Sequence, residues 1–115
     1  MSRSERLRLA DILEACDRVV HYTSGMSAEA FKADSRTTDA VIRNLQIIGE
    51  AVKQLPGATR ARDDRVDWRR ISGMRDMLVH AYFGVDVDLV WDVVETKIPP
   101  LHATVRRLLD DPELS

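Results

Sequence analysis

The sequence has 115 residues, of which 44% are hydrophobic and 31% charged, and its formal net charge is −2. This is an ordinary globular composition, which indicates neither a disordered nor a membrane-embedded protein. The small negative charge gives no general attraction to nucleic acid, so an RNA or DNA contact would need a local basic patch. We expect a single domain over residues 1–115.

Metal and disulfide chemistry find little support in the sequence. Cys16 is the only cysteine, which excludes an intrachain disulfide and a cysteine-based zinc site. The three histidines, His21, His80 and His102, do not have metal-ligand spacing. We therefore expect no metal and no cofactor. The sequence also shows no charged-then-apolar leader and no apolar run of about 20 residues, which predicts a cytoplasmic protein with no membrane contact.

Two helices are predicted before residue 35. Ser2 and Glu5 have the spacing of a capping box, and apolar residues then recur at helical spacing through residues 4–22. A breaker, TSGMSA, follows, and Ser27 could cap a short helix through the sequence AEAFKAD. The inward residues expected of the first helix are Leu9, Ile12, Leu13, Cys16, Val19 and Val20.

A third helix is predicted from about Asp39 to the Pro-Gly pair at residues 56 and 57, which ends it. Its apolar stripe consists of Val41, Leu45, Ile48, Val52 and Leu55. Residues 58–67 have no apolar period and predict a surface loop, in which three aspartates oppose three arginines. These arginines, which either guide RNA or are simply solvated, are Arg60, Arg62 and Arg65.

Two more helices complete the pattern. Asp67 can cap a helix over residues 68–82, and Asp86 or Asp88 can cap the last helix. The prolines at 99 and 100 must kink or split that helix, because neither donates a backbone hydrogen bond. The inward residues expected of the last helix are Val90, Val94, Leu101, Val105 and Leu108.

The sequence shows no convincing period-two strand. Short connections between amphipathic helices are typical of neighbours that run antiparallel. We therefore predict an all-α fold, an antiparallel bundle of about four to five helices.

Residues 73–84, GMRDMLVHAYFG, place polar side chains within an apolar stretch. At about 100° per residue, Trp68, Ile71, Leu78 and Tyr82 fall on one side of the predicted helix, and Arg75 falls within that side. An unpaired guanidinium is rarely tolerated in a core. Arg75 is therefore expected to point toward the core or toward an interface, and a buried carboxylate such as Glu50 could pair with it.

His80 follows Arg75 by five residues, which is about 140° around a regular helix. One straight helix therefore cannot aim both side chains at one small target. Either the helix breaks between them, or each side chain lines a cleft that a second copy of the chain completes. Asp76 lies four residues before His80 and could orient its imidazole. The pattern alone leaves open whether the cluster is a satisfied polar group inside the bundle or a site.

The segment RDMLVHAY, Arg75 to Tyr82, resembles the R-x4-H-x-Y motif of HepT-like toxins, which are HEPN-domain ribonucleases of bacterial and archaeal toxin–antitoxin pairs. Three blocks of the chain are similar to that family in the same order, which is far more specific than the arginine and histidine alone. They are RNLQIIGEAVKQLP at 43–56, WRRISGMRDMLVHAYFGVD at 68–86 and VWDVVETKIPPL at 90–101. The resemblance covers most of the chain.

This resemblance implies a helical bundle that forms a homodimer, with the two motifs facing one cleft. It also implies metal-independent cleavage of RNA, in which the 2′-hydroxyl attacks the adjacent phosphate. His80 would be the acid/base group, and Arg75 would hold the scissile phosphate and its developing charge. Asp76 stands where the wider superfamily often has asparagine, and it would support the site. Glu50 would support the cleft or form an ion pair.

Tyr82 has a further role by the same resemblance. HepT-like proteins with this motif are paired with a small MntA-like nucleotidyltransferase antitoxin, which transfers AMP units to the motif tyrosine. The added phosphates would crowd the cleft and occupy the arginine. The residues alone also allow Tyr82 to be a core aromatic with its hydroxyl at the surface.

The sequence therefore favours an endoribonuclease toxin that is restrained by a nucleotidyltransferase. The alternative is a non-catalytic helical interaction module, which would bind the nucleotidyltransferase or nucleotides without cutting RNA. The presence of both Arg75 and His80 favours the enzyme, because a binding module has no need of a titrating imidazole near a phosphate-binding arginine.

Overall fold

The chain is a helical bundle, without strands in the part that the structure describes. The computed structural model describes residues 1–82 and 86–111, and for residues 79–82 it describes the backbone alone. Its helices are α1 (Arg3–Thr23), α2 (Ala28–Ala33), α3 (Ser35–Lys53), α4 (Gly57–Ala61), α5 (Trp68–Tyr82), α6 (Val87–Thr96) and α7 (Ile98–Asp110). None of these helices is both long and apolar enough to cross a membrane. The prediction of an all-α bundle is confirmed.

Four helices form the body of the bundle. α3 packs against both α1 and α5, and α1 also packs against α7. The shorter α6 packs against α7 and α2. The molecule measures 44 × 28 × 21 Å. α5, which carries the sequence motif, therefore has α3 as its most extensive helical neighbour.

The predicted apolar stripes meet in one core. All five inward residues predicted for the third helix are buried, and so are all five predicted for the last helix. In the first helix the prediction for Val20 is wrong, because this side chain is 50% exposed, and Leu13 is only partly buried. Burial of an aliphatic side chain contributes about 1.5–3 kcal/mol, so the stripes account for most of the cohesion between helices.

Side-chain caps start the helices largely where the sequence predicts them. The capping oxygens accept a backbone N–H at 3.1–3.3 Å and belong to Ser2, Ser27, Asp67 and Asp86. The start predicted for the third helix at Asp39 is wrong, because α3 begins four residues earlier. There Asp34 Oδ1 accepts the Thr37 backbone N–H at 3.0 Å. This cap satisfies one of the N–H groups that a helix end leaves unpaired.

The prediction of a loop over residues 58–67 is partly wrong, because Gly57–Ala61 form the short helix α4. The Thr59 hydroxyl donates to the Glu5 carboxylate of α1 at 3.1 Å, which ties α4 to the bundle. A helix of this length shows no apolar period, so a periodic pattern could not reveal it.

The last predicted helix is split in two at Lys97. α7 begins at Ile98, and Pro99 and Pro100 lie in its first turn, where a backbone N–H has no partner within the helix. The split is one of the two outcomes that the prolines predict. Together with α4 it raises the number of helices in the described ranges to seven, compared with the four to five predicted.

One carboxylate, that of Asp63, holds the segment between α4 and α5. Its Oδ1 accepts the Arg65 backbone N–H at 3.1 Å, and its Oδ2 accepts Nε of Arg107 in α7 at 3.2 Å. The Trp68 indole N–H donates to the Asp63 backbone carbonyl at 2.8 Å. The Asp63 side chain is only 9% exposed, so the segment is packed against α7 and is not a free solvated loop.

Candidate functional site

Helices α3 and α5 approach each other closely at Gly49, which is buried in α3. A side-chain carbon at this position would lie 3.3 Å from the Ile71 carbonyl oxygen and 3.5 Å from the Arg75 backbone nitrogen. The lack of a side chain therefore lets the backbone of α5 lie directly against α3. As a result, Arg75 stands beside Glu50, the residue that follows Gly49.

Arg75 and Glu50 form an ion pair across this contact, with Nη1 2.9 Å from Oε2. Their side chains are 50% and 45% exposed, so the pair lies at the surface. Of the two directions expected for Arg75, the core is excluded, because this side chain is half exposed whereas the neighbouring Met74 is buried. The interface stays a prediction. The guanidinium extends along α3 to Glu50, which takes the ion-pair role that the sequence left open for it.

The ion pair lines an open groove of about 520 Å³ between α1, α3 and α5, which we call the α1–α3–α5 groove. Its charged residues are Arg8, Asp11, Arg43, Glu50 and Arg75. Three guanidinium groups thus face two carboxylates. Because a guanidinium presents a planar fork of donors that matches phosphate, the groove can bind a phosphate group.

Apolar side chains are exposed beside these charges. Ile47 lines the groove and is 36% exposed, and Leu7 is 56% exposed one helical turn before Asp11 on α1. Protein interfaces also combine apolar with charged side chains, so this face could contribute to one.

α5 runs as one continuous helix from Trp68 to Tyr82. This excludes the alternative in which the helix breaks between Arg75 and His80, and the two residues stay about 140° apart around it. The side chains of His80 and Tyr82 lie outside the described residues. Asp76 is exposed on the same helix.

The described part of the site offers guanidinium and carboxylate groups. Among the described side chains, those of residues 1–78 and 86–111, no group of three or more His, Cys, Asp or Glu could hold a metal ion. Cys16 is buried in α1, and this burial, with a smaller effect of the Asp17 charge, raises the pKa of its thiol to about 12. The thiol is therefore protonated at neutral pH and cannot serve as a nucleophile.

Sequence reasoning missed two of the five charged residues of the groove, Arg8 and Asp11. Their place beside Arg75 depends on how α1 packs on α3, which no local pattern reports. A partial signal was present, because Arg43 and Glu50 are seven residues apart and so share one face of α3.

Comparison with known proteins gives consistent matches over most of the chain. The family model described as Ribonuclease HepT-like matches residues 12–108. A probable ribonuclease HepT of Thermococcus cleftensis is 42% identical, over 94% of this chain and 98% of the relative. Candidate RNases of Caldanaerobacter subterraneus and Methanocaldococcus jannaschii are 40% and 37% identical, over 93% and 94% of this chain and 96% and 89% of the relatives. No solved structure gives a significant match.

Proposed function

This chain belongs to the HepT-like ribonuclease family, and on that premise we propose that it is the endoribonuclease toxin of a toxin–antitoxin pair. The proposal rests above all on the Arg75 guanidinium, which lies 2.9 Å from Glu50 at the side of a groove that is open to solvent. Because the pair is half exposed, an RNA phosphate can replace Glu50 at little cost, which would not hold for a buried pair.

The reaction is transesterification followed by release of the cleaved strand. The RNA 2′-oxygen forms a bond to the adjacent phosphorus, and the bond from phosphorus to the 5′-oxygen breaks. A neutral His80 imidazole takes the proton of the 2′-hydroxyl, and a protonated one gives a proton to the leaving 5′-oxygen. Arg75 stabilises the charge that develops on the phosphate oxygens. The products are a 2′,3′-cyclic phosphate and a 5′-hydroxyl, and no metal takes part.

Two copies of the chain form the active site in this proposal. The continuous α5 keeps Arg75 and His80 on different faces of one helix, which supports a cleft that a second copy completes. The exposed Leu7 and Ile47 beside the α1–α3–α5 groove supply apolar surface for such a contact. Size-exclusion chromatography with light scattering should give about twice the mass of the chain, and a monomer at micromolar concentration would contradict the composite cleft.

Glu50 and Asp76 support the catalytic residues. Glu50 fixes the direction of the Arg75 guanidinium before RNA binds, because it holds it from the adjacent helix. Asp76, four residues before His80 on α5, orients the imidazole in this proposal. Neither carboxylate contacts the reacting atoms.

Replacement of Arg75 or His80 tests the proposal. Arg75→Gln and His80→Ala should each lower the rate of RNA cleavage by about 100-fold or more, the usual effect of losing a charge-stabilising or acid/base group. Arg18→Gln is a matched control, because Arg18 is 46% exposed and also pairs with a glutamate, Glu14, at 2.6 Å. Cleavage by His80→Ala at the wild-type rate would refute His80 as the acid/base group, whereas a wild type that cuts no RNA would refute the enzyme and favour the non-catalytic interaction module.

The metal-free mechanism has its own test. Cleavage should continue in EDTA, and mass spectrometry of the products should show a 2′,3′-cyclic phosphate. Loss of activity on chelation, with recovery on adding a divalent ion, would exclude the mechanism.

We also propose that an MntA-like nucleotidyltransferase antitoxin controls the enzyme through Tyr82. The tyrosine oxygen would attack the α-phosphorus of ATP, and pyrophosphate would leave. The attached AMP brings negative charge and acceptor oxygens that compete with RNA for Arg75. Tyr82→Phe keeps the ring but removes the acceptor oxygen, so intact mass spectrometry should show AMP addition to the wild type alone. Continued addition to the Phe variant would place the modification elsewhere.

A further inference from the structure

A second groove lies on a different face of α5. It begins as a cleft of about 200 Å³ between the start of α5 and the junction of α6 with α7, and it continues along α5 and α6 as a space of about 430 Å³. Arg70, Ile71 and Lys97 line both parts, so they form one feature, the α5–α6–α7 groove. Arg70 precedes Arg75 by five residues, or about 140° around the helix, which separates this groove from the Arg75–Glu50 pair.

The first part of the groove is basic. Arg65, Arg70 and Lys97 line it against one carboxylate, that of Asp67. The ion pairs there are long: Arg65 lies 3.7 Å from Asp63, and Arg70 lies 3.5 Å from Asp67. Both arginine side chains are mostly exposed, and no ion pair of Lys97 occurs among the described side chains. Exposed pairs of this kind contribute little, so all three cations are available to a phosphate.

The second part of the groove is largely apolar. Met74, Met77 and Leu89 line it, and Leu89 is 37% exposed. The space beside Gly73 in this part of the groove is open, because a side-chain carbon there would meet no atom within 4 Å. Asp92 also lines this part, and its carboxylate can accept an N–H from a nucleobase.

We propose that the α5–α6–α7 groove binds single-stranded RNA beside the cleavage site, with a phosphate at the basic end and an unstacked base at the apolar end. This inference rests on the proposed ribonuclease function, because it takes RNA as the substrate. Proteins commonly hold single strands with a basic groove beside a surface on which a base stacks, and Arg guanidinium planes can supply that surface. Here the Arg70 guanidinium and the neighbouring Met and Leu side chains supply it. Arg70 and Arg75 are about 7.5 Å apart along the axis of α5, so a strand that leaves the groove reaches Arg75 within a few nucleotides.

Binding of RNA that cannot be cleaved tests the groove separately from catalysis. The probe is a short, fluorescently labelled single strand of 2′-O-methyl RNA, which lacks the attacking hydroxyl, and fluorescence anisotropy is measured over a series of salt concentrations. Arg70→Gln and Lys97→Gln should each weaken binding by roughly three- to ten-fold and make the salt dependence shallower, because each removes a phosphate contact. Leu89→Gln should weaken binding without a change in salt dependence, because a base contact releases no counterions.

A matched control is Arg36→Gln. Arg36 is exposed in the first turn of α3, and thirteen residues, or about 20 Å of helix, separate it from Gly49 at the contact with α5. It should bind the probe as the wild type does. Equal losses in Arg36→Gln and Arg70→Gln would overturn the groove as a specific site, as would an unchanged salt dependence in Arg70→Gln. Displacement of the probe by poly-glutamate as readily as by unlabelled RNA would overturn it too, since any polyanion would then suffice.

Cleavage kinetics separate a failure of the groove from a failure of the enzyme. With unmodified RNA, an Arg70→Gln/Lys97→Gln protein should show a raised KM and an unchanged kcat, whereas Arg75→Gln should lower kcat. A wild type that binds the probe but does not cut RNA would refute the proposed ribonuclease activity without contradicting the proposed RNA-binding groove. A wild-type KM in the double variant would refute RNA binding by the groove without contradicting the ribonuclease activity.

Discussion

Valine should destabilise the protein at Gly49 but not at Gly73, although both glycines lie inside helices that meet at the site. At Gly49 even a Cβ would lie 3.3 Å from the Ile71 carbonyl oxygen and 3.5 Å from the Arg75 nitrogen. The two further methyl groups of valine would have to enter space that the α5 backbone occupies. At Gly73 a Cβ would meet nothing within 4 Å.

These contacts determine how large a change in stability we expect from each substitution. Valine is a better helix former than glycine by a few tenths of a kcal/mol, so Gly73→Val should be neutral or slightly stabilising. At Gly49 the same gain is opposed by overpacking, which typically costs about 1–3 kcal/mol. For a chain of this size each kcal/mol shifts Tm by roughly 4 °C, so Gly49→Val should lower Tm by about 4–12 °C.

The Tm of both variants is measured under the same conditions by thermal denaturation, which is followed by circular dichroism at helical wavelengths. RNA cleavage by Gly49→Val should also fall, because separation of α3 from α5 moves Arg75 away from Glu50. A Gly49→Val protein with the same Tm as Gly73→Val would refute the close contact, and with it the reason given for the position of Arg75.

Three further outcomes follow from the described contacts. Glu50→Gln should lower the free energy of unfolding, measured in urea, by less than about 1 kcal/mol, because the pair with Arg75 is half exposed. The Cys16 thiol should react with a thiol reagent only after unfolding, because it is buried and its pKa is raised to about 12; fast labelling of the native protein would contradict this. Hydrogen bonds from the Thr37 backbone N–H and hydroxyl hold the pKa of Asp34 below its ordinary value. The resulting stabilisation is present above the unfolded-state pKa and is lost as pH falls through the folded-state pKa, so Asp34→Asn should lack this part of the acid sensitivity in pH-dependent unfolding.

The parts of the fold that local sequence determines were predictable. Caps at Ser27 and Asp67, the apolar stripe of α3 and the division of the last helix near Pro99 depend on residues close together in the chain. α4 was not predictable, because its tie to the bundle is a tertiary hydrogen bond to Glu5. Local pattern therefore gives the kind and order of the main helices but not the short segments that packing stabilises.

The candidate site, like the fold, was predictable from the sequence only in part. Periodicity identified Arg75 as unusual and proposed Glu50 as its partner, yet it placed the guanidinium on the apolar side of α5. Periodicity could not show the close approach of α3 and α5 at Gly49, which brings the Arg75 backbone beside Glu50. The α5–α6–α7 groove was likewise beyond sequence reasoning, because it joins Arg70 of α5 to Lys97 at the junction of α6 and α7. The roles of His80 and Tyr82 stay predictions.

The bonds made by Asp63 have a consequence for the entropy of RNA binding. They hold the Arg65 backbone and join it to α7 through Arg107, so the segment before α5 is already ordered in the free protein. Fixing the backbone of one residue costs roughly 1–2 kcal/mol, a cost that a flexible basic loop would meet each time it bound RNA. Here the segment is ordered when the chain folds, so the α5–α6–α7 groove is preorganised for its ligand.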